Sequence, residues 1–177
     1  MRALFLTTLA LCSLALNPAW ADPAPPLSLT HADGSTVELP REHEGVDIYL
    51  FWATWCPYCK AFMPHLQSIR DEYGDDVTVF ALQIRDDEDP RPYLADNGFD
   101  FELIPNADAA MAPYGMRSTP GLVLVDGDGN IRFNLYDVVL QDPPGYAELG
   151  NRAKAARRGP AWAARLRQEI DAILEAN

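Results

Sequence analysis

The chain has 177 residues, 48% hydrophobic and 23% charged, a composition ordinary for one globular domain with a real core. A formal net charge of −12 argues against nucleic acid and against an anionic membrane surface as partners. No internal repeat and no low-complexity segment interrupts it.

Arg2 precedes an apolar run over residues 3–16, and Ala19-Trp20-Ala21 then offers a small-x-small cleavage site before Asp22. This is the layout of a secretory signal peptide, with export and cleavage after Ala21 expected. An uncleaved membrane anchor is the alternative, but the run is shorter than the ~20 residues a spanning helix needs. Cys12 raises a lipid-anchored form, but Leu11 stands where such signals favour a small residue. If Cys12 leaves with the leader, Cys56 and Cys59 are the cysteines that remain.

After the leader, residues 22–177 read as one domain. Residues 22–26 are proline-rich and are expected to form a flexible start. Residues 27–39 hold two extended runs around Asp33-Gly34, a hairpin signal. The apolar run over 46–52 predicts a buried strand. A helix follows, with Phe62, Leu66, Ile69 and Tyr73 on one face and a kink expected at Pro64. Residues 77–84 predict a central strand, so strand, helix and strand form a parallel crossover unit. The acidic run from Asp86 to Asp89 reads as a solvated loop. Short helices are expected over 92–97 and 107–114. Residues 121–125 and 131–136 predict an antiparallel pair about an Asp126-Gly127-Asp128-Gly129-Asn130 turn. That turn is rich in acids but lacks the downstream Glu of a calcium loop. Residues 146–158 predict a basic helix ended by Gly159-Pro160, and Trp162, Leu166, Ile170 and Ile173 a final amphipathic one. Residues 137–160 therefore read as an insertion before the last helix.

The chemistry is concentrated in Trp55-Cys56-Pro57-Tyr58-Cys59-Lys60, at the junction of the 46–52 strand and its helix. Unpartnered N–H groups and a positive dipole end stabilise a thiolate there, and a thiol pKa near ~8.5 can fall to roughly 3.5–7.5. Cys56 is then a nucleophile near neutral pH, with Pro57 at the first helical position. Cys59 lies three residues on, in reach of a short disulfide. A zinc half-site lacks its second pair, since His31, His43 and His65 are scattered. A purely structural bridge would close too small a loop to stabilise much. The redox reading is the one adopted.

Strand, Trp-Cys-x-x-Cys, proline-bearing helix, strand, Thr119-Pro120, hairpin and final helix together resemble the thioredoxin superfamily. The leading hairpin and the leader resemble its exported TlpA/ResA/DsbE-like branch. The resemblance implies an α/β fold with a mixed central sheet flanked by helices and an added N-terminal β-hairpin. It implies a cis Pro120 beside the disulfide, with the Thr119 backbone free to pair with a substrate strand. Trp55, Pro57, Tyr58, Thr119 and Pro120 are thus the expected shapers of the substrate site.

Against that family pattern, Leu50 stands six residues before Cys56 where thioredoxin has a buried acid, and Ala81 stands for a lysine of the next strand. Phe62 stands where ResA-like reductases carry glutamate. No buried base is expected for the Cys59 proton.

The activity implied is a periplasmic thiol–disulfide oxidoreductase that reduces protein disulfides, Cys56 as nucleophile and Cys59 as resolving thiol. Protein disulfides or dithiols are its expected partners, with a membrane thiol electron donor if it is a reductant. Cytochrome c maturation or copper-site proteins are client classes the resemblance offers. No resident metal or cofactor is expected. The alternatives are a disulfide-donating oxidant or isomerase of DsbA/DsbC type and, from another class, a Cu(I)-binding metallochaperone.

Overall fold

The computed structural model describes residues 22–176. The expected leader, its cleavage after Ala21 and Cys12 lie outside the described residues. In chain order the strands are β1 (Asp22–Pro23), β2 (Leu27–Thr30), β3 (Thr36–Leu39), β4 (Val46–Trp52), β5 (Val77–Gln83), β6 (Glu102–Ile104), β7 (Gly121–Val125) and β8 (Asn130–Asn134). The helices are α1 (Pro57–Tyr73), α2 (Arg91–Asp96) and α3 (Asn151–Leu174).

β4 and β5 are apolar along nearly their whole length because both faces of the sheet are covered. The six-stranded sheet runs β1-β8-β7-β4-β5-β6, and β2 with β3 forms a separate hairpin. β4, β5 and β6 are parallel, while β7, β8 and β1 join antiparallel, so the sheet is mixed. Alternate residues divide between two cores, as the two-residue period of a strand requires. Ile48, Leu50 and Trp52 face the side of α1 and α3. Tyr49 and Phe51 face Leu29, Val37 and Leu39 of the hairpin. This is the thioredoxin-like fold with its added hairpin, as expected from the motif order.

Local differences have physical reasons. The proline-rich start is no tether: Asp22 and Pro23 pair with Ile131 and Asn130, and Ala24 is buried and donates its N–H to Gly129 O at 2.9 Å. The helix expected over 107–114 is a 3-10 turn at Ala107–Ala110. β6 was not anticipated, since three residues are too few to show a period.

Gly159-Pro160 does not end a helix either. α3 runs through both, so the final helix starts inside the expected insertion. A Cβ on Gly159 would stand 2.9 Å from the Ala61 carbonyl oxygen and 3.0 Å from the His65 ring, so glycine lets α3 cross close over α1. Pro160 is on the exposed side with Ala156, where the carbonyl it leaves unbonded reaches water.

Candidate redox site

Cys56 is the N-cap of α1, with extended backbone (φ −82°, ψ 109°), and Pro57 opens the helix. The Cys56 Sγ accepts a hydrogen bond from the Cys59 N–H at 3.1 Å. Cys56 and Cys59 form a disulfide with Cα atoms 5.3 Å apart. Both are enclosed, Cys56 at 1% exposure and Cys59 at 0%. Trp55 beside them is 58% exposed.

The Thr119–Pro120 bond is cis. Gly121 pairs with Phe51, so Thr119 and Pro120 lie just beyond β7 at the carboxyl end of β4, where the cysteine loop begins. Thr119 and Pro120 share one cleft with Tyr58 and Trp162. Each residue expected at the site is therefore placed at this end of the sheet. The Tyr136 hydroxyl holds the proline loop by accepting from the Ser118 N–H at 2.9 Å and donating to the Ser118 carbonyl at 2.6 Å.

Leu50, Ala81 and Phe62 are fully buried in the same core as the cysteines. Phe62 packs edge-on against Trp162, ring centroids 5.4 Å apart. The buried carboxylates among the described residues, Asp47 and Asp126, sit at the other end of the sheet and are bound by Arg41 and Arg132. Asp126 also accepts from the Asp128 and Asn130 N–H groups, which makes its loop a hairpin turn. Among the described residues no group of three or more His, Cys, Asp or Glu side chains gathers in a way that could hold a metal.

Sequence reasoning missed Arg85 and Asp86. β4 and β5 run in parallel register with Trp52 opposite Gln83, so the residues just past each strand meet. The Asp86 carboxylate accepts the Thr54 N–H, and the Arg85 carbonyl accepts the Trp55 indole N–H at 3.0 Å. Arg85 is in the left-handed region (φ 53°), and its N–H donates to Asp108 Oδ1 at 3.0 Å. Its guanidinium donates to the Arg117 carbonyl at 3.0 Å. One residue thus ties the loop before Cys56 to the loop before Pro120. The acidic run gave no sign of this, because Asp86 resembles its neighbours until the register is known.

Partial burial pushes the Asp86 pKa up, but hydrogen bonds from Thr54, Glu88 and Gln83 outweigh it and hold the carboxyl below the usual value. A carboxyl lowered in the folded state adds stability above its unfolded pKa of about 3.9, and that stability is lost as pH falls through the folded value. Asp86→Asn is expected to be less stable than the parent at neutral pH. The gap in urea midpoint should close below about pH 4. A gap that stays constant down to low pH would remove the charge from this account.

A mixed sheet with a Cys-x-x-Cys disulfide at a helix N-terminus, facing a cis-proline loop, defines the thioredoxin-like class. The AhpC/TSA family profile matches residues 20–134, and the chain belongs to that family. Curated relatives include the thiol-disulfide oxidoreductase ResA of Halalkalibacterium halodurans, 31% identical over 107 residues (58% of this chain, 60% of that protein). A thiol:disulfide interchange protein DsbE homolog of Paracoccus denitrificans is 30% identical over 100 residues (54% and 52%). These matches span less than two thirds of either relative's own length. Among solved structures, an uncharacterized conserved protein from Geobacillus kaustophilus superposes with a TM-score of 0.68 at 19% identity (89% of this chain, 82% of that one). A thiol:disulfide interchange protein from Bacteroides sp. does so at 0.58 and 20% identity (66% and 81%). The structural likenesses speak for the fold.

Proposed function

We propose that the chain is an exported thiol–disulfide oxidoreductase that reduces protein disulfides in the periplasm. The observation that carries this reading is the Cys56–Cys59 disulfide at the first turn of α1, beside a cis Pro120. In the reduced chain the Cys56 thiolate attacks a substrate disulfide, and the displaced substrate sulfur leaves as a thiolate. Cys59 then attacks Cys56 Sγ, the second substrate sulfur leaves, and the Cys56–Cys59 disulfide is restored. Two electrons pass to the substrate. A membrane thiol donor returns them, because the periplasm is kept oxidising.

The Cys56 sulfur accepts the Cys59 N–H in the first turn of α1, which is the contact by which a helix end holds a thiolate ready to attack. In this reading residues 1–21 are a leader cleaved after Ala21, and the domain, residues 22–177, works outside the cytoplasm. Among the described residues no helix is long and apolar enough to cross a membrane.

Equilibration of the Cys56–Cys59 pair with dithiothreitol or glutathione buffers tests the direction. A reduction potential near roughly −270 mV or lower is expected, and one near roughly −120 mV would make the protein an oxidant.

A further inference from the structure

Past β8, residues 138–150 form no helix or strand, yet they are fastened beside the redox centre. Arg158 of α3 does the fastening: it donates to the Tyr146 hydroxyl at 2.9 Å and to the Leu140 carbonyl at 3.5 Å, and it pairs with Asp142. Its guanidinium also lies over the Tyr146 ring, 4.6 Å from the centroid. Tyr146 is buried as a result, and Arg158 also lines the cleft of Tyr58, one of the two residues between the cysteines.

This arrangement holds Val139 out at 91% exposure. Among the described residues the exposed large hydrophobic side chains are Val139 and Trp55, and both border the same site. Trp55 adjoins Cys56, and Val139 borders a cleft of about 480 Å³ that Tyr58, Thr119, Pro120, Arg158 and Trp162 also line. Thr119 lies outside the β4–β7 ladder, and neither its N–H nor its carbonyl has a hydrogen-bond partner among the described residues. Exposed apolar groups beside an unpaired backbone edge fit an extended polypeptide, which supplies both strand hydrogen bonds and apolar side chains. A small thiol supplies neither.

We propose that the cleft between Val139 and Pro120 receives an extended client segment with an apolar side chain two residues from the cysteine that reacts with Cys56. Alternate residues of an extended chain face the same way, so a client cysteine turned toward Cys56 turns that side chain toward the cleft. The 138–150 strap is then the selecting wall of the site. This rests on the oxidoreductase reading above.

The test uses the chain reduced with dithiothreitol and freed of it, in single turnover against two symmetric peptide disulfides. One carries leucine two residues either side of its cysteine, the other asparagine. Bis(2-hydroxyethyl) disulfide serves as a small substrate. Cys56 and Cys59 displace the two thiolates in turn, and the protein ends oxidised. The parent is expected to reduce the leucine peptide about five- to tenfold faster than the asparagine peptide. Val139→Ser should lose most of that preference, with its rate on the small disulfide and its reduction potential unchanged. Val139 is exposed, so folding is not at stake.

A parent with no preference, or a variant that keeps it, overturns the proposal. So does a variant slowed equally on the small disulfide. Sedimentation showing a dimer that Val139→Ser dissociates overturns it too, since a second copy would then be what covers Val139. A parent inert toward bis(2-hydroxyethyl) disulfide is a separate result: it overturns the oxidoreductase reading itself.

Discussion

Cys56→Ser is expected to abolish disulfide reduction, lowering the rate on insulin with dithiothreitol as electron source by on the order of a thousandfold or more. Cys59→Ser should lose turnover equally but keep the first step, so a mixed disulfide between Cys56 and the substrate accumulates. The asymmetry follows from position. Cys56 is the N-cap, outside the first helical turn, whereas Cys59 is inside α1. A serine at Cys59 leaves the Cys59 N–H still pointing at the Cys56 sulfur, so the nucleophile keeps its hydrogen bond. Non-reducing gels after a brief exposure to substrate separate the outcomes. If Cys56→Ser traps substrate and Cys59→Ser does not, the roles are reversed. If Cys56→Ser turns over like the parent, the reading of the motif is wrong.

The second large effect concerns stability, at the far end of the sheet. A Cβ on Gly127 would stand 1.8 Å from the His43 carbonyl oxygen and 3.3 Å from that of Gly45. Both are backbone atoms, so no side chain can swing aside, and the β7–β8 turn must pull away from the loop before β4. Gly127→Ala should cost about 3 kcal/mol. For a domain of this size that is a fall in Tm of roughly 6–12 °C by circular dichroism. Gly34→Ala is the control: its φ is +90° but nothing lies within 4 Å of the added carbon. Only backbone strain remains there, about 1 kcal/mol. Equal losses from the two variants would show that contact with His43 is not what requires glycine at 127.

What was legible in the sequence was what is local. Cys56, Pro57 and Cys59 declare a helix start by their own spacing, and β4 and β5 declare burial on both faces by being apolar throughout. The residues that fasten the site are set by neighbours distant in sequence. Asp86 holds Thr54, 32 residues away, and Arg85 reaches Arg117 across the same interval. Neither could be found before the parallel register of β4 and β5 was known. The Gly159-Pro160 pair misled for a related reason. Taken alone it stops a helix, but the close crossing with α1 requires a residue without a side chain at 159, and packing overrides the local preference. The strap misled where it could be read at all: the pattern over residues 146–150 predicts a helix, which starts only at Asn151, and the rest has no period to announce its contacts.

β1 and β6 bound the sheet on its two sides, and both are minimal, at two and three residues. An open strand edge is a template on which other chains assemble, and short edges carrying proline or charge are the usual defence. Pro23 lacks an N–H to offer, and Glu102 is an exposed charge on the opposite rim. The proline-rich start therefore shields the five residues of β8, which would otherwise form a longer rim. Other chains, copies of this one included, are thereby kept from extending the sheet at either rim.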